Sequence, residues 1–349
     1  MFDSLPRLSP SPLAGLAALV LIAAGCDSDS TTPKLFTLAN QCITAPTAAN
    51  YTGAMSSAIT AGIPIRYNVT VNPTRGSLSY DQTTGSYTYT PTTPSRGYRD
   101  SFVAEITSDD NLLGTATFEI IFGAVRIMPL GDSITFGVTS SQGSAATDLP
   151  VSADAVGYRQ RLQERLANDG YQVDFVGSQS SGANAGLADT DHEGIPGDTA
   201  SDMTARVNTA LNTNATDIVL LHAGTNDVNT LGTMATVTPV NNLLTAIRNW
   251  TISPANPTVD TLVARIVPSP NATKDGNIDA FNANLDVLMA NSWSDLTVVD
   301  MNSALNAVTD MTPSPTDTTG LHPNTSGYTK MADAWYTALT SNDKVQRCG

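Results

Sequence analysis

Three side chains suited to acyl transfer stand at the ends of apolar runs in this chain. Ser133 lies in VRIMPLGDSITFG (125–137), where an apolar run of strand length stops at Gly131 and is followed by a carboxylate, Asp132, and the hydroxyl. TDIVLLHAGTND (216–227) repeats that arrangement and ends in Gly224, Thr225 and the amide of Asn226. GLHPN (320–324) sets His322 in a Gly/Pro-flanked loop just before an amphipathic run at 327–339. In an open α/β sheet, ligands bind at the carboxyl ends of the strands. A hydroxyl, an amide and an imidazole collected there read as nucleophile, oxyanion donor and general base.

A serine hydroxyl is a poor nucleophile at neutral pH until a base within hydrogen-bond reach takes its proton. The chain has three histidines, His192, His222 and His322. His222 lies inside the apolar run IVLLHAG and reads as a buried, satisfied imidazole. His192 stands in DHEG (191–194), read as a loop, where it is either a substrate contact or a structural residue. His322 is then the base by elimination and by position. Asp132 reads as an organiser of its loop rather than a reactant, and it joins His192 as a candidate for touching substrate.

These residues resemble the blocks of the SGNH (GDSL-type) hydrolases. GDSIT (131–135), PGDT (196–199), GTND (224–227) and HPN (322–324) follow the family's order over the C-terminal two thirds of the chain. The longer strings DHEGIPGDTASDM and HPNTSGYTKMADAWYTAL look closest to carbohydrate esterase family 3, the acetylxylan esterases and their relatives. The resemblance implies a Ser133 nucleophile, a His322 base and an oxyanion hole made by the Ser133 and Gly197 N–H groups and the Asn226 amide. At Gly197 the missing Cβ is expected to let the backbone approach the substrate. The family's usual aspartate, three residues before the histidine, is Thr319 here, and the nearest acid upstream is Asp317. Either Asp317 reaches His322 Nδ1 from a longer loop, or a backbone carbonyl orients the imidazole instead.

The elements that must hold these residues apart and together are legible in the texture of the chain. From 124 to 349, strands alternate with helical patterns, which predicts an α/β domain with a parallel sheet covered on both faces. Five strands are expected there, and the resemblance implies the same flavodoxin-like three-layer fold. Residues 35–123 instead show short alternating runs split by turn residues, which predicts an antiparallel β-sandwich. The string at 76–121 resembles the bacterial cadherin-like or Ig-like repeats, and as one copy it suits a spacer.

Ahead of both, the run LAGLAALVLIAAGC (13–26) is too short to remain as a membrane span. Its ending resembles a bacterial lipoprotein signal, with residues 1–25 removed, Cys26 lipidated and 26–34 serving as a polar tether; an ordinary secretory signal, giving a secreted extracellular protein, is the alternative. Lipidation would leave Cys42 and Cys348 as an even pair in an exported protein, and a disulfide between them is expected.

The 349 residues carry 32 acidic and 17 basic side chains, a net charge of −15, which argues against nucleic acid or an anionic membrane surface as partner. A neutral ester or polysaccharide fits better, with the membrane reached only through the lipid at Cys26. There is no HExxH, no thiolate cluster and no Gly-rich phosphate loop, so neither metal nor cofactor is expected. A monomer is expected. The reading of the chain as a whole is a secreted serine esterase removing short acyl groups, acetyl foremost, from polysaccharide. A broad esterase or lipase on aryl or lipid esters is the alternative within the same chemistry. From a different class comes a surface carbohydrate-binding or adhesion protein whose hydrolase domain is silent.

Overall fold

The computed structural model describes residues 34–37, 41–45, 50–55, 65–92, 98–108, 112–139, 155–231, 236–253, 256–311, 320–341, 344–345 and 347. The leader, Cys26, Asp317, Thr319 and Cys348 lie outside the described residues. The chain divides into two compact units, with the break between Phe122 and Gly123.

The first unit is all β. Strands β1 (Lys34–Thr37), β2 (Gln41–Ala45), β4 (Ile65–Val71), β7 (Tyr98–Ser108) and β8 (Leu112–Phe122) form one sheet, and β3 (Tyr51–Ala54), β5 (Gly76–Tyr80) and β6 (Ser86–Pro91) form a second. Alternation decides which face is buried. Phe102, Ala104 and Ile106 on β7 and Ala116, Phe118 and Ile120 on β8 all point into one core with Tyr67, Tyr87 and Tyr89. The Phe102 and Phe118 rings stack at 4.8 Å, and Tyr87 meets Phe102 edge-on at 5.1 Å. Pairing is not antiparallel throughout: β1 and β2 run parallel to β8. A tight hairpin forces antiparallel pairing only on sequence neighbours, whereas these strands are joined to β8 through most of the unit and are free to lie parallel.

The second unit is a three-layer α/β structure. Strands β9 (Val125–Gly131), β10 (Val173–Phe175), β13 (Ile218–His222), β14 (Asp260–Ala264) and β15 (Thr297–Val299) pair in parallel, in the order β10-β9-β13-β14-β15. The central strands β9, β13 and β14 carry apolar residues on both faces because helices cover both. Met128, Leu130, Val219, Leu221 and Val263 face α3 (Ala200–Thr213), α5 (Thr238–Thr251) and α6 (Ala272–Ser292). Val125, Ile127, Ile218, Leu220 and Leu262 face α2 (Arg159–Asn168), the short α7 (Met301–Ala304) and α8 (Thr325–Ser341). At the edge away from the strands' carboxyl ends, Arg126 grips Asp217 with two guanidinium bonds of 3.0 and 2.7 Å and its own N–H at 2.8 Å, which fixes the β9–β13 register.

One local assignment differs from the sequence reading. DHEG is not a loop but strand β12 (Asp191–Gly194), which pairs with β9 at Glu193↔Leu130 and Gly194↔Gly131 and with the short β11 (Gln179–Ser180). Residues after Gly224 enter a helix, α4 (Thr225–Leu231). Helix α6 starts at Ala272, ahead of its apolar stripe, because Asn271 caps it by accepting from the Thr273 and Lys274 N–H groups. The order of strands reverses at β9, so the crevice beside its carboxyl end is where this topology places a ligand.

Candidate active site

Asp132 closes β9 and serves as N-cap of the four-residue helix α1 (Ser133–Phe136), its Oδ1 accepting from the Ile134 N–H at 2.9 Å. Ser133 is therefore the first residue of the helix, and its own N–H is one of those a helix start leaves without an intrahelical acceptor. From the far end of the chain, His322 brings Nε2 to 2.8 Å from Ser133 Oγ. The loop bearing that imidazole is pinned just behind it. Asn324 caps α8 by accepting from Gly327 N–H, donates to Thr309 O at 2.8 Å, and has its own N–H on Asp310 O.

The PGDT segment forms a turn in which Asp198 N–H donates to Ile195 O at 3.2 Å, with Pro196 and Gly197 at the centre and φ of +89° at Gly197. Proline followed by a positive-φ residue is the requirement of a type II turn. A Cβ at Gly197 would meet no protein atom within 4 Å, and the positive φ by itself calls for glycine. The turn does not use the Gly197 N–H. It is tied to the nucleophile strand by the Ile195 N–H to Gly131 O bond, 3.1 Å. Asn226, on the first turn of α4, donates Nδ2–H to Asp198 O at 2.9 Å, which fixes the amide plane. Asp227 next to it accepts from the Ala200 N–H at 3.0 Å. Ser133, Gly197 and Asn226 thus sit at the carboxyl ends of three adjacent strands, β9, β12 and β13.

Two candidates for substrate contact are not where the sequence suggested. His192 is fully buried: Nδ1 accepts from Gly194 N–H at 3.0 Å and Nε2–H faces Ser181 Oγ at 2.8 Å. Burial, with Arg159 and Arg206 nearby, pushes its pKa down to about 2, so it is a neutral structural imidazole. Asp132 is likewise fully buried, which raises its carboxyl to about 6, and its Oδ2 has no partner among the described residues. It organises α1 and is shielded from substrate. His222 is buried as expected but not satisfied, since neither ring nitrogen has a partner among the described residues, and burial lowers it to about 4.

These shifts carry a sign. From an ordinary value near 6.5 down to the depressed folded values, the unfolded chain binds protons that native His192 and His222 refuse, so stability falls as pH drops through that window. Asp132 opposes them between 3.8 and about 6, where the native carboxyl keeps a proton the unfolded one has lost. Replacing His222 by Met is expected to raise the melting temperature, more at pH 5 than at pH 7.5. Equal shifts at both pH values would contradict this.

Two arginines missed by sequence reading hold the site together. Arg159 is fully buried, with no carboxylate partner among the described residues; it donates to Thr135 O, Phe136 O, Ala155 O and Ser181 Oγ at 2.7–3.1 Å. It thereby clamps the end of α1. Burial lowers its guanidinium to about 10, still charged at neutral pH. The available signal was its place, three residues before Leu162 and seven before Leu166, on the helix's apolar stripe. Arg159→Met is expected to cost on the order of 3 kcal/mol of stability by orphaning those acceptors. An unchanged denaturation midpoint would refute it. Arg206 is the second such residue.

The model of the GDSL-like Lipase/Acylhydrolase family matches residues 130–330. The chain belongs to this family. Its matched span includes Ser133, Gly197, Asn226 and His322. A multidomain esterase of Ruminococcus flavefaciens is 28% identical over 236 residues, 61% of this chain but only 28% of that protein's length. Among solved structures, a family 3 carbohydrate esterase of Clostridium thermocellum is 29% identical with a TM-score of 0.50, covering 63% of this chain and 98% of that one. A variant of an acetyl xylan esterase from Geobacillus stearothermophilus is 17% identical with a TM-score of 0.43, covering 62% and 96%. The match to the GDSL-type family thus falls within the second unit.

Proposed function

We propose that this GDSL-type hydrolase is an exported serine esterase that removes short acyl groups, acetyl foremost, from polysaccharide. The observation that carries it is the 2.8 Å contact between Ser133 Oγ and His322 Nε2 at the sheet edge that also presents Asn226 and Gly197. In this reading His322 takes the Ser133 proton as Oγ attacks the ester carbonyl. The resulting oxyanion is met by the Ser133 and Gly197 N–H groups and the second amide N–H of Asn226. His322 then returns the proton to the departing sugar hydroxyl, leaving an acyl-Ser133 enzyme. Water, deprotonated by the same imidazole, releases the carboxylic acid. The polysaccharide class is supported by likeness to the family 3 carbohydrate esterase. The test is acetate release from acetylated xylan, pectin and chitin beside a series of p-nitrophenyl esters of rising acyl length, with Ser133→Ala as control. Activity confined to long-chain or lipid esters would overturn the acetyl assignment.

Export rests on the leader and the LIAAGC ending, with Cys26 as the lipidated residue, the polar stretch as tether and the β unit as a cadherin-like spacer. Cys26→Ser is expected to move the mature protein from the membrane to the soluble fraction. Equal partitioning of both forms would contradict the anchor.

A further inference from the structure

We propose that Arg206 is a positioning residue for the oxyanion hole, acting through Asp198 on both Gly197 and Asn226. The inference rests on the reading above, in which those two groups meet the oxyanion. Arg206 lies on α3 on the face it shares with buried Met203 and Ala210, so its guanidinium is directed under the site rather than into solvent, and its side chain is only 19% exposed.

Its donors reach three segments. Nε–H donates to Asp198 Oδ2 at 2.8 Å, Nη1–H to Glu193 Oε1, and Nη2–H to Glu193 O at 3.1 Å and, at the long end, to Gly131 O at 3.4 Å. Gly131 ends the nucleophile strand, Glu193 lies on the strand beside it, and Asp198 closes the turn that presents Gly197. Glu193 is itself fixed: its side chain is 2% exposed and Oε2 accepts from Ser178 N–H at 2.7 Å.

The decisive link is Asp198. Its side chain is held by Arg206, while its main-chain carbonyl holds the Asn226 amide at 2.9 Å. Gly197 precedes it in the same turn, and α3, which carries Arg206, starts immediately after it with Thr199 as N-cap. One side chain therefore closes a ring from α3 back to the turn that leads into it, and fixes two oxyanion donors relative to Gly131 and Ser133. A planar fork with donors in several directions can do this, and a lysine ammonium on a flexible stem cannot.

The test measures Arg206→Ala, Arg206→Lys and Asn226→Ala on p-nitrophenyl acetate, with crystal structures of the two Arg206 variants. Arg206→Ala is expected to lower kcat about 100-fold, the scale of one lost oxyanion donor, with KM moved less than about threefold. Arg206→Lys should fall between it and wild type. Millimolar guanidinium should restore part of the activity of Arg206→Ala and none of that of Asn226→Ala. In the double variant the two losses should combine to less than their product, because they act on one structure. The Arg206→Ala crystal should show Gly197 and Asn226 displaced with the Ser133–His322 contact intact. If Arg206→Ala does not fold, Arg206→Lys decides by the same readings. A kcat within twofold of wild type, fully multiplicative losses, or unmoved Gly197 and Asn226 would overturn the inference. Should the wild-type protein cleave no ester, the functional reading fails, while the crystal structures still decide what Arg206 positions.

Discussion

Ser133→Ala is expected to abolish ester hydrolysis, with a fall in kcat of about 10⁴ to 10⁶, and His322→Ala to match it. The two side chains form one device, since Oγ is nucleophilic only while Nε2 stands 2.8 Å away to accept its proton. Their losses should therefore not multiply: the double variant should be no slower than the worse single one by more than a few-fold. Neither change should unfold the protein. Ser133 is the first residue of α1, whose cap is supplied by Asp132 and not by the serine, and His322 sits partly exposed in a loop pinned through Asn324. Initial rates on p-nitrophenyl acetate and melting curves of the three variants check this. A Ser133→Ala enzyme retaining a tenth of wild-type activity would point to a different nucleophile.

Asn226→Ala is expected to lower kcat by about 10² to 10³ with little change in KM. The reasoning is that an oxyanion donor acts on charge that develops only in the transition state, and its removal costs roughly 3 to 4 kcal/mol. The amide is pre-set for that task, because one N–H is engaged by Asp198 O at 2.9 Å and the plane cannot turn away. The same bond helps hold the 195–198 turn, so the measured loss will include some disturbance of Gly197. Gly197→Ala separates the two, since it leaves Asn226 intact while forcing a Cβ onto a backbone with φ of +89°. It should lower kcat without weakening the Asn226 contact. A rise in KM at constant kcat in Asn226→Ala would contradict the assignment, because it would make the amide a ground-state binder.

What can be read from the chain follows a physical division. Ser133, Asn226 and His322 are legible because each ends an apolar run or opens a helix, and such positions mark the sheet edge by hydropathy alone. The parallel sheet is legible for the same reason: strands buried on both faces read as continuous apolar runs, as at Ile218–His222. DHEG misleads because four mostly polar residues show no strand pattern. Their burial comes from pairing with β9 and packing beneath α1, which local sequence does not encode. That same error draws His192 to the substrate side. Arg159 and Arg206 escape because hydropathy treats arginine as surface, whereas here the fold assembles enough acceptors to receive a buried guanidinium. At His222 the burial is written in its apolar neighbours, and the missing partners are not, since they depend on what other strands bring.

The most direct test of the central claim is to trap the acyl position itself. Protein treated with a fluorophosphonate, digested and mapped by mass spectrometry, should carry one adduct per chain, located at Ser133, and His322→Ala should react far more slowly. An adduct at another residue, or none while ester hydrolysis continues undiminished, would contradict the account.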